Sequence, residues 1–167
     1  MNNFFIILAA GNGTRFKKKQ KKQYAIYKNF KIFEHSVFKA IKSKLFKKIV
    51  LVIDNPKNVK NLYSKDLIIL KGGKKRSSSS IIALKHIKKF KPNNVLIHDA
   101  ARPDFSLNLL KKIIEELDLL LPPFKMIKSL EYKFLTFLGL SITRTIFLNN
   151  FDFIALKTEC SNILKFL

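Results

Sequence analysis

The chain has 167 residues, 47% of them hydrophobic, which is enough to bury the core of one domain and argues against a disordered chain. No apolar run approaches the roughly 20 residues of a membrane-spanning helix, no His and Cys residues have zinc-ligand spacing, and the single Cys160 excludes an internal disulfide framework. This composition predicts a protein of the reducing cytoplasm that does not span a membrane. The short apolar stretch 4–10 is interpreted as a first strand and not as a signal peptide.

The formal net charge of +22 has two interpretations. Of the 33 basic residues, all but Arg15, Arg76, Arg102 and Arg144 are lysines, and Trp is absent, a profile typical of AT-rich codon usage. The first interpretation is a solvated lysine surface that follows from composition. The second is a protein that attracts the phosphate backbone of nucleic acids. Because nucleic-acid binders more often place arginine or aromatic readers among the lysines, the first interpretation is favoured.

Strands and helices alternate along the first 118 residues. Continuous apolar runs predict buried strands, whereas apolar residues at helical spacing, with serines that open the second and third helices as caps, predict helices. The predicted strands are 4–8, 48–54, 66–70 and 94–100, and the predicted helices are 34–44, 77–90 and 106–117. This alternation predicts an α/β fold with a doubly wound, mostly parallel sheet.

The composition changes near residue 118. Residues 119–167 are rich in Phe and Leu, and their alternation of strand and helix is unclear. We predict a helix at 124–138 and a strand at 142–148 in this region. The chain is therefore divided into a core, residues 1–118, and an atypical C-terminal segment, residues 119–167.

Three marked loops follow predicted strands. The first, "AAGNGTR" (9–15), has small residues that let backbone N–H groups approach phosphate oxygens, and Arg15 and Lys22 can neutralise the charge of a phosphate. An ordinary glycine turn is the alternative. The loop lacks the G-K-[ST] ending of a Walker A motif, and Phe16 stands where a dinucleotide-binding loop has its third glycine.

The other two loops are "GGKKRSSSS" (72–80) and "HDAARP" (98–103). A turn followed by a helix cap is the alternative for the former. In the latter, Asp99 can hold a divalent cation or a ribose hydroxyl and Arg102 can face a phosphate, whereas His98 is interpreted as a structural residue and not as a base. Because ligands bind at the carboxyl ends of strands in such sheets, residues 11–15, 73–79 and 99–102 are predicted to line one cleft.

Taken in order, the three loops together with "KQY" (22–24) and "FEHSV" (33–37) resemble the pattern of the 2-C-methyl-D-erythritol 4-phosphate cytidylyltransferases. The ribitol-5-phosphate cytidylyltransferases share much of this pattern. The resemblance covers residues 4–118. Of the motifs, "HDAARP" contributes most to distinguishing this family from other sugar nucleotidyltransferases. The resemblance implies a Rossmann-like sheet of the nucleotidyltransferase type, and a transferase of the methylerythritol phosphate route to isoprenoids.

In the reaction that the resemblance implies, a phosphate oxygen of 2-C-methyl-D-erythritol 4-phosphate attacks the α-phosphorus of CTP in the presence of Mg²⁺, and pyrophosphate leaves. Arg15 and Lys22 would be the catalytic residues, which stabilise charge in the transition state. Asp99 would hold the metal or the ribose, and Arg102 would bind the acceptor substrate. The implied CTP-binding residues are Ala9, Ala10, Gly11, Gly13, Gly73, Ser79, Asp99 and Ala100.

The chain departs from the family pattern at three places. Lys21 stands where the family usually has proline, Lys74 stands where an acidic or other polar residue often follows the second glycine, and residues 119–167 contain no T-P-Q motif. The family continues with a segment that reaches into a partner subunit, so the resemblance implies a homodimer for the full-length family. For this chain two explanations stay open. One is a product truncated or altered after residue 118 that keeps the nucleotide half, and the other is a divergent complete enzyme.

Alternative functions are a ribitol-5-phosphate or other sugar-phosphate nucleotidyltransferase, an inactive fragment, and a basic nucleic-acid-binding protein. Filter binding at increasing salt distinguishes a nucleic-acid-binding protein from a nucleotidyltransferase. Lysine-driven binding to a polynucleotide is expected to weaken by about a thousandfold or more between about 50 and about 200 mM salt, whereas CTP binding in a built site should largely persist. Polynucleotide binding that survives at the higher salt, with no CTP binding, would contradict the enzyme interpretation.

Overall fold

The computed structural model describes residues 2–11, 21–59, 62, 64–119, 142–147 and 153–158. Within these residues a six-stranded sheet is flanked by helices, and a two-stranded hairpin lies apart from it. The strands are β1 (Asn3–Ala9), β2 (Ile26–Tyr27), β3 (Phe30–Lys31), β4 (Lys48–Ile53), β5 (Leu67–Lys71), β6 (Asn94–Asp99), β7 (Ile142–Phe147) and β8 (Phe153–Thr158). The helices are α1 (Ile32–Ser43), α2 (Arg76–Ile87) and α3 (Leu107–Leu119).

The sheet is mostly parallel, which confirms the predicted α/β fold. Its strand order is β5-β4-β1-β6-β8-β7. β1, β4, β5 and β6 run parallel, with Ile6 of β1 opposite Val50 of β4 on one side and Ile97 of β6 on the other. β8 pairs antiparallel with β6, and β7 pairs antiparallel with β8. The carboxyl ends of the four parallel strands therefore lie at one edge of the sheet.

The central strand, β1, explains why both faces of the sheet are covered. All seven of its residues are buried. Because successive side chains of a strand point to opposite faces, Phe5 and Ile7 contribute to one core cluster with residues of α1 and α3, whereas Phe4 and Ile6 contribute to a second cluster with residues of α2. A strand buried on both faces reads as an uninterrupted apolar run, and this is how β1 could be predicted from the sequence.

The beginnings of two helices follow ordinary capping chemistry. The Glu34 carboxylate accepts a hydrogen bond of 2.7 Å from the Lys31 backbone N–H at the start of α1. The Ser106 hydroxyl accepts one of 3.1 Å from the Leu109 N–H, so this serine caps α3 as predicted. Glu34, part of the "FEHSV" motif, therefore has a visible structural role at a helix N-terminus.

The prediction that the serine run caps the second helix is wrong. α2 begins at Arg76, and Lys75 stands at its N-cap without a side-chain cap. The serines lie inside the helix, where the Ser79 and Ser80 hydroxyls donate to the carbonyl oxygens of Lys75 and Arg76, each at 3.2 Å. Serine side chains near the start of a helix can donate a hydrogen bond to the carbonyl four residues earlier. Ser79 and Ser80 make these bonds, and neither serves as the cap of the helix. The regular helix ends at Ile87, and residues 88–90 form a 3-10 turn.

Two further features differ from the sequence analysis or lie beyond it. The β2–β3 hairpin was not predicted, because its strands have two residues each and its turn, Lys28-Asn29, lacks glycine although both residues have positive φ. The strand predicted at 142–148 is β7, and β8 was missed. The predicted helix at 124–138 lies outside the described residues. Among the residues that the structure describes, no helix is both long and apolar enough to cross a membrane.

Two isoleucines of opposite exposure provide a test of the core. Ile7 is fully buried in β1, whereas Ile26 in the hairpin is 74% exposed. We expect Ile7→Ala to lower the free energy of unfolding by about 2–5 kcal/mol, because it leaves a cavity in a packed core. Ile26→Ala should change it by less than about 0.5 kcal/mol. Urea denaturation of both variants measures the difference, and equal effects would contradict the assignment of β1 to the core.

Candidate active site

The three loops predicted from the sequence begin at the same edge of the sheet, in the parts that the structure describes. After β5 the chain crosses the end of β4, where the Gly72 N–H donates to the Ile53 carbonyl at 2.7 Å. It then packs on the first loop so closely that a Cβ added to Gly72 would lie 2.2 Å from the Ala10 Cβ. On the other side of β1, the Ala100 N–H donates to the Leu8 carbonyl at 3.0 Å. The second and third loops therefore flank the first.

A glutamine holds the first loop from outside. The Gln23 side-chain amide donates to the carbonyl oxygens of Ala9, at 3.0 Å, and Gly11, at 2.7 Å, and the residue is almost fully buried. In a trans peptide the N–H points away from the C=O of the same unit, so fixing the Ala9 carbonyl also fixes the direction of the Ala10 N–H. Gln23 thus sets the backbone path where an anion would approach.

Gln23 belongs to a single 3-10 turn, Lys22–Tyr24, which lies at this edge of the sheet. The turn is closed by hydrogen bonds from the Tyr24 N–H to the Lys21 carbonyl, 2.9 Å, and from the Ala25 N–H to the Lys22 carbonyl, 3.1 Å. The Lys22 side chain is exposed, whereas its neighbour Gln23 faces inward. The turn therefore presents one ammonium group to solvent beside the first loop.

Asp54, at the end of β4, binds the side chains of Lys21 and Tyr24, which lie before and after Lys22. The Lys21 Nζ lies 2.5 Å from Asp54 Oδ2, and the Tyr24 hydroxyl donates to Oδ1 of the same carboxylate. The Asn55 N–H also donates to Oδ1, at 2.9 Å. Partial burial alone would raise the pKa of Asp54, but the hydrogen bonds from Lys21 and Tyr24 hold that pKa below its ordinary value. Burial, and then the bond to Asp54, raises the pKa of the Tyr24 phenol to about 12.

The second loop is stabilised by its own serine. The Ser79 hydroxyl accepts from the Gly73 N–H, at 3.2 Å, while it donates to the Lys75 carbonyl. A Cβ on Gly73 would lie 2.5 Å from the Ser78 Cβ, so glycine is required for this close packing. Ser79 is almost fully buried, and its hydroxyl therefore shapes the loop in this structure.

The third loop turns immediately after β6. Asp99 Oδ1 accepts from the Ala101 N–H at 3.0 Å, and the Arg102 N–H donates to the Asp99 carbonyl at 3.1 Å. Asp99 is half-buried, Arg102 is exposed, and the Ala100 methyl is fully buried. The Lys39 ammonium of α1 donates to two carbonyls farther along, Pro103 at 2.7 Å and Phe105 at 2.9 Å. The turn is thus held from both ends.

His98 lies within the core and not in the loop region that faces solvent. It is fully buried, stacked on the Phe5 ring at 5.9 Å between centroids and edge-to-face with the Phe105 ring at 4.8 Å. This position agrees with the interpretation of His98 as a structural residue.

A divalent cation is compatible with the donors at this edge. Among the described residues there is no cluster of three or more His, Cys, Asp or Glu side chains that could hold a metal by protein ligands alone. Mg²⁺ does not need such a cluster, because it is commonly held by one or two carboxylates together with substrate phosphates and water. The half-buried Asp99 carboxylate fits that requirement.

The structure brings nine of the sequence-predicted site residues to this edge, and it shows others that the sequence analysis missed. Gly13 and Arg15 lie outside the described residues. Gln23, Tyr24 and Gly72 lie in motifs that the sequence analysis marked without giving them a role. Asp54 was missed, although its position at the end of a buried strand was a usable signal. The nine residues are Ala9, Ala10, Gly11, Lys22, Gly73, Ser79, Asp99, Ala100 and Arg102.

A mostly parallel sheet flanked by helices, with glycine-containing loops and basic side chains at its carboxyl edge, defines the class of doubly wound α/β proteins, in which ligands bind at that edge. Residues 4–121 match the family described as IspD, 2-C-methyl-D-erythritol 4-phosphate cytidylyltransferase, and the chain belongs to this family. The family match ends close to residue 118, where the composition changes.

Individual relatives agree with the family match. The chain is 48% identical over 121 residues to the bifunctional enzyme IspD/IspF of Pelagibacter ubique, covering 71% of this chain and 33% of the relative. It is 38% identical over 120 residues to the 2-C-methyl-D-erythritol 4-phosphate cytidylyltransferase of Thermotoga neapolitana, covering 68% and 51%. The structure of the bifunctional IspDF from Campylobacter jejuni aligns with a TM-score of 0.62 and 34% identity, covering 71% and 31%. The chain thus spans between a third and half of the length of these curated relatives.

Two glycines at this edge provide a matched test of the contact between loops. Gly72→Ala would force a methyl group into the Ala10 side chain, whereas a Cβ on Gly11 meets nothing within 4 Å. We expect Gly72→Ala to lower the free energy of unfolding by about 1–3 kcal/mol, from overpacking, and Gly11→Ala to change it by less than about 0.5 kcal/mol. Urea denaturation measures both, and a Gly72→Ala protein as stable as the unsubstituted chain would contradict the close approach of the two loops.

Proposed function

We propose that this chain is a CTP-dependent cytidylyltransferase that transfers CMP from CTP to 2-C-methyl-D-erythritol 4-phosphate and releases pyrophosphate. The observation that carries the proposal is the gathering of the described parts of three loops around the carboxyl end of β1, in a chain whose residues 4–121 match the IspD family. The name of the family specifies both the cytidylyl group and the acceptor, and the gathered loops supply the site proposed to bind them.

The proposed reaction needs charge stabilisation and positioning instead of a nucleophilic side chain. An acceptor phosphate oxygen forms a bond to the α-phosphorus of CTP while the bond from that phosphorus to the pyrophosphate oxygen breaks. The exposed Lys22 ammonium, together with Arg15, is suited to stabilise the charge that builds on the phosphoryl oxygens. Mg²⁺, held by Asp99 and the phosphates, would neutralise further negative charge.

Backbone groups of the first loop are proposed to hold the triphosphate. Gln23 occupies the carbonyls of Ala9 and Gly11, so these two oxygens do not face the anion. The small side chains of Ala9, Ala10, Gly11 and Gly13 allow the N–H groups to come close to phosphate oxygens. A preorganised backbone of this kind binds an anion without a large reorganisation cost.

The other two loops are proposed to select the nucleoside and the acceptor. Gly73 and Ser79 would hold cytosine through the backbone of the second loop, which the Ser79 hydroxyl shapes. Asp99 and Ala100 would contact the ribose, and because the Ala100 methyl is buried, its contact would come from the backbone. Arg102, exposed at the end of β6, would bind the phosphate of the acceptor.

We further propose that the protein acts in the cytoplasm and that full-length members of the family pair as homodimers.

Pyrophosphate release tests the proposed function. The purified chain is incubated with Mg²⁺ and each of the four nucleoside triphosphates, in the presence of 2-C-methyl-D-erythritol 4-phosphate or ribitol 5-phosphate. We expect release above background only with CTP, and faster with the methylerythritol acceptor. A preference for ribitol 5-phosphate would overturn the proposed acceptor, and release that does not discriminate among the nucleotides, or no release at all, would overturn the transferase.

The role of Lys22 gives a more specific prediction. Lys22→Ala, and likewise Arg15→Ala, should lower kcat by about 100-fold or more while the affinity for CTP changes by less than about threefold, because the charge matters most in the transition state. Lys85→Ala, which removes an exposed lysine from α2, is the control and should leave both parameters unchanged. Steady-state kinetics and calorimetric titration with CTP measure the two parameters. Equal losses of rate and affinity would argue against a transition-state role.

A further inference from the structure

Asp54 ties the turn that carries Lys22 to the sheet. It directly follows β4, and its carboxylate has three donors: the Lys21 ammonium, the Tyr24 hydroxyl and the Asn55 N–H. Two of these donors flank Lys22 in the sequence. None of the roles implied by the family resemblance involves Asp54, and the site chemistry proposed above does not use it.

A second tie reaches the same turn from β1. Gln23 bonds the carbonyls of Ala9 and Gly11, so the residue after Lys22 is anchored to the first loop while the residue before it is anchored to β4. Lys22 itself is exposed between these anchors. The direction of its side chain therefore depends on both attachments, and only the one to Asp54 involves an ion pair.

We propose that Asp54 is a positioning residue for Lys22, acting through the bonds from Lys21 and Tyr24, so that the Lys22 ammonium is held where the transferred phosphoryl group would lie. The inference rests on the proposed function insofar as Lys22 is catalytic. It adds a residue whose effect on the reaction is exerted entirely through the backbone of the turn.

The expected energetics separate positioning from simple stabilisation. The side chains of Lys21 and Asp54 are 34% and 25% exposed, so water screens the pair and its contribution to folding stability is expected to be modest. A small displacement of a catalytic charge, in contrast, can lower a rate by about 10- to 100-fold. Replacement of Asp54 should therefore lower kcat clearly while the free energy of unfolding changes little.

The chain contains a matched control for this ion pair. Lys48 Nζ lies 3.0 Å from Asp66 Oδ1, with side chains that are 26% and 41% exposed. Because Lys48 begins β4 and Asp54 follows its end, the two pairs lie at opposite edges of the sheet. Asp54→Asn and Asp66→Asn thus remove equivalent charges, one beside the candidate active site and one far from it.

The experiment compares these variants in the unsubstituted background and in the Lys22→Ala background. Asp54→Asn should lower kcat about tenfold, with KM for CTP changed by less than about threefold, whereas Asp66→Asn should leave kcat unchanged. In the Lys22→Ala background Asp54→Asn should have no further effect, because two residues that act through one group are not additive. Lys21→Arg, which keeps the ion pair, should retain most of the activity.

Hydrogen exchange without nucleotide provides a readout that does not depend on activity. The Tyr24 and Ala25 amides, which close the turn, should exchange faster in Asp54→Asn and not in Asp66→Asn. An unchanged kcat in Asp54→Asn, or an equal loss of kcat with and without Lys22, would overturn the inference. If the unsubstituted chain releases no pyrophosphate, the proposed function fails, and exchange alone decides: faster exchange of the two amides supports the tie, and unchanged exchange overturns it.

Discussion

The parallel alignment of β1 between β4 and β6 is the constraint on which the rest of the structure depends. All seven residues of β1 are buried, and its alternate side chains enter the two core clusters on opposite faces of the sheet. Parallel neighbours on both sides bring the carboxyl ends of these strands to one edge, where their last backbone groups still need partners. The bonds from Gly72 to Ile53 and from Ala100 to Leu8 supply such partners, and they draw the loops together.

The loops at this edge are shaped largely by hydrogen bonds among their own polar groups. Ser79 joins the beginning and the end of the second loop, Asp99 closes the turn of the third, and Gln23 occupies two carbonyls of the first. Because these groups already have partners within the protein, the backbone of the loops is ordered before a ligand binds. Ligand binding therefore carries little further cost in conformational entropy. The same contacts explain why Gly73, Ser79 and Gln23 suit their positions.

Adjacent lysines at this edge have different roles. Lys21 pairs with Asp54, whereas Lys22 is exposed, although nothing in the run of basic residues around them distinguishes the two. The net charge of +22 similarly does not identify the site, because it is summed over all 33 basic and 11 acidic residues of the chain. The carboxylate at the end of β4 thus distinguishes an ammonium group that is paired within the protein from its exposed neighbour.

The sequence by itself determined the class of the fold, the four parallel strands, and the loops in which nine candidate site residues lie. It could do so because a strand buried on both faces leaves a continuous apolar run, and because loops after such strands must meet at one edge. The tertiary structure decided which polar groups pair. It placed the serines of α2 inside the helix, Gln23 on the first loop and Asp54 beside Lys21. These pairings join residues up to 33 positions apart, and no local periodicity encodes a contact at that separation.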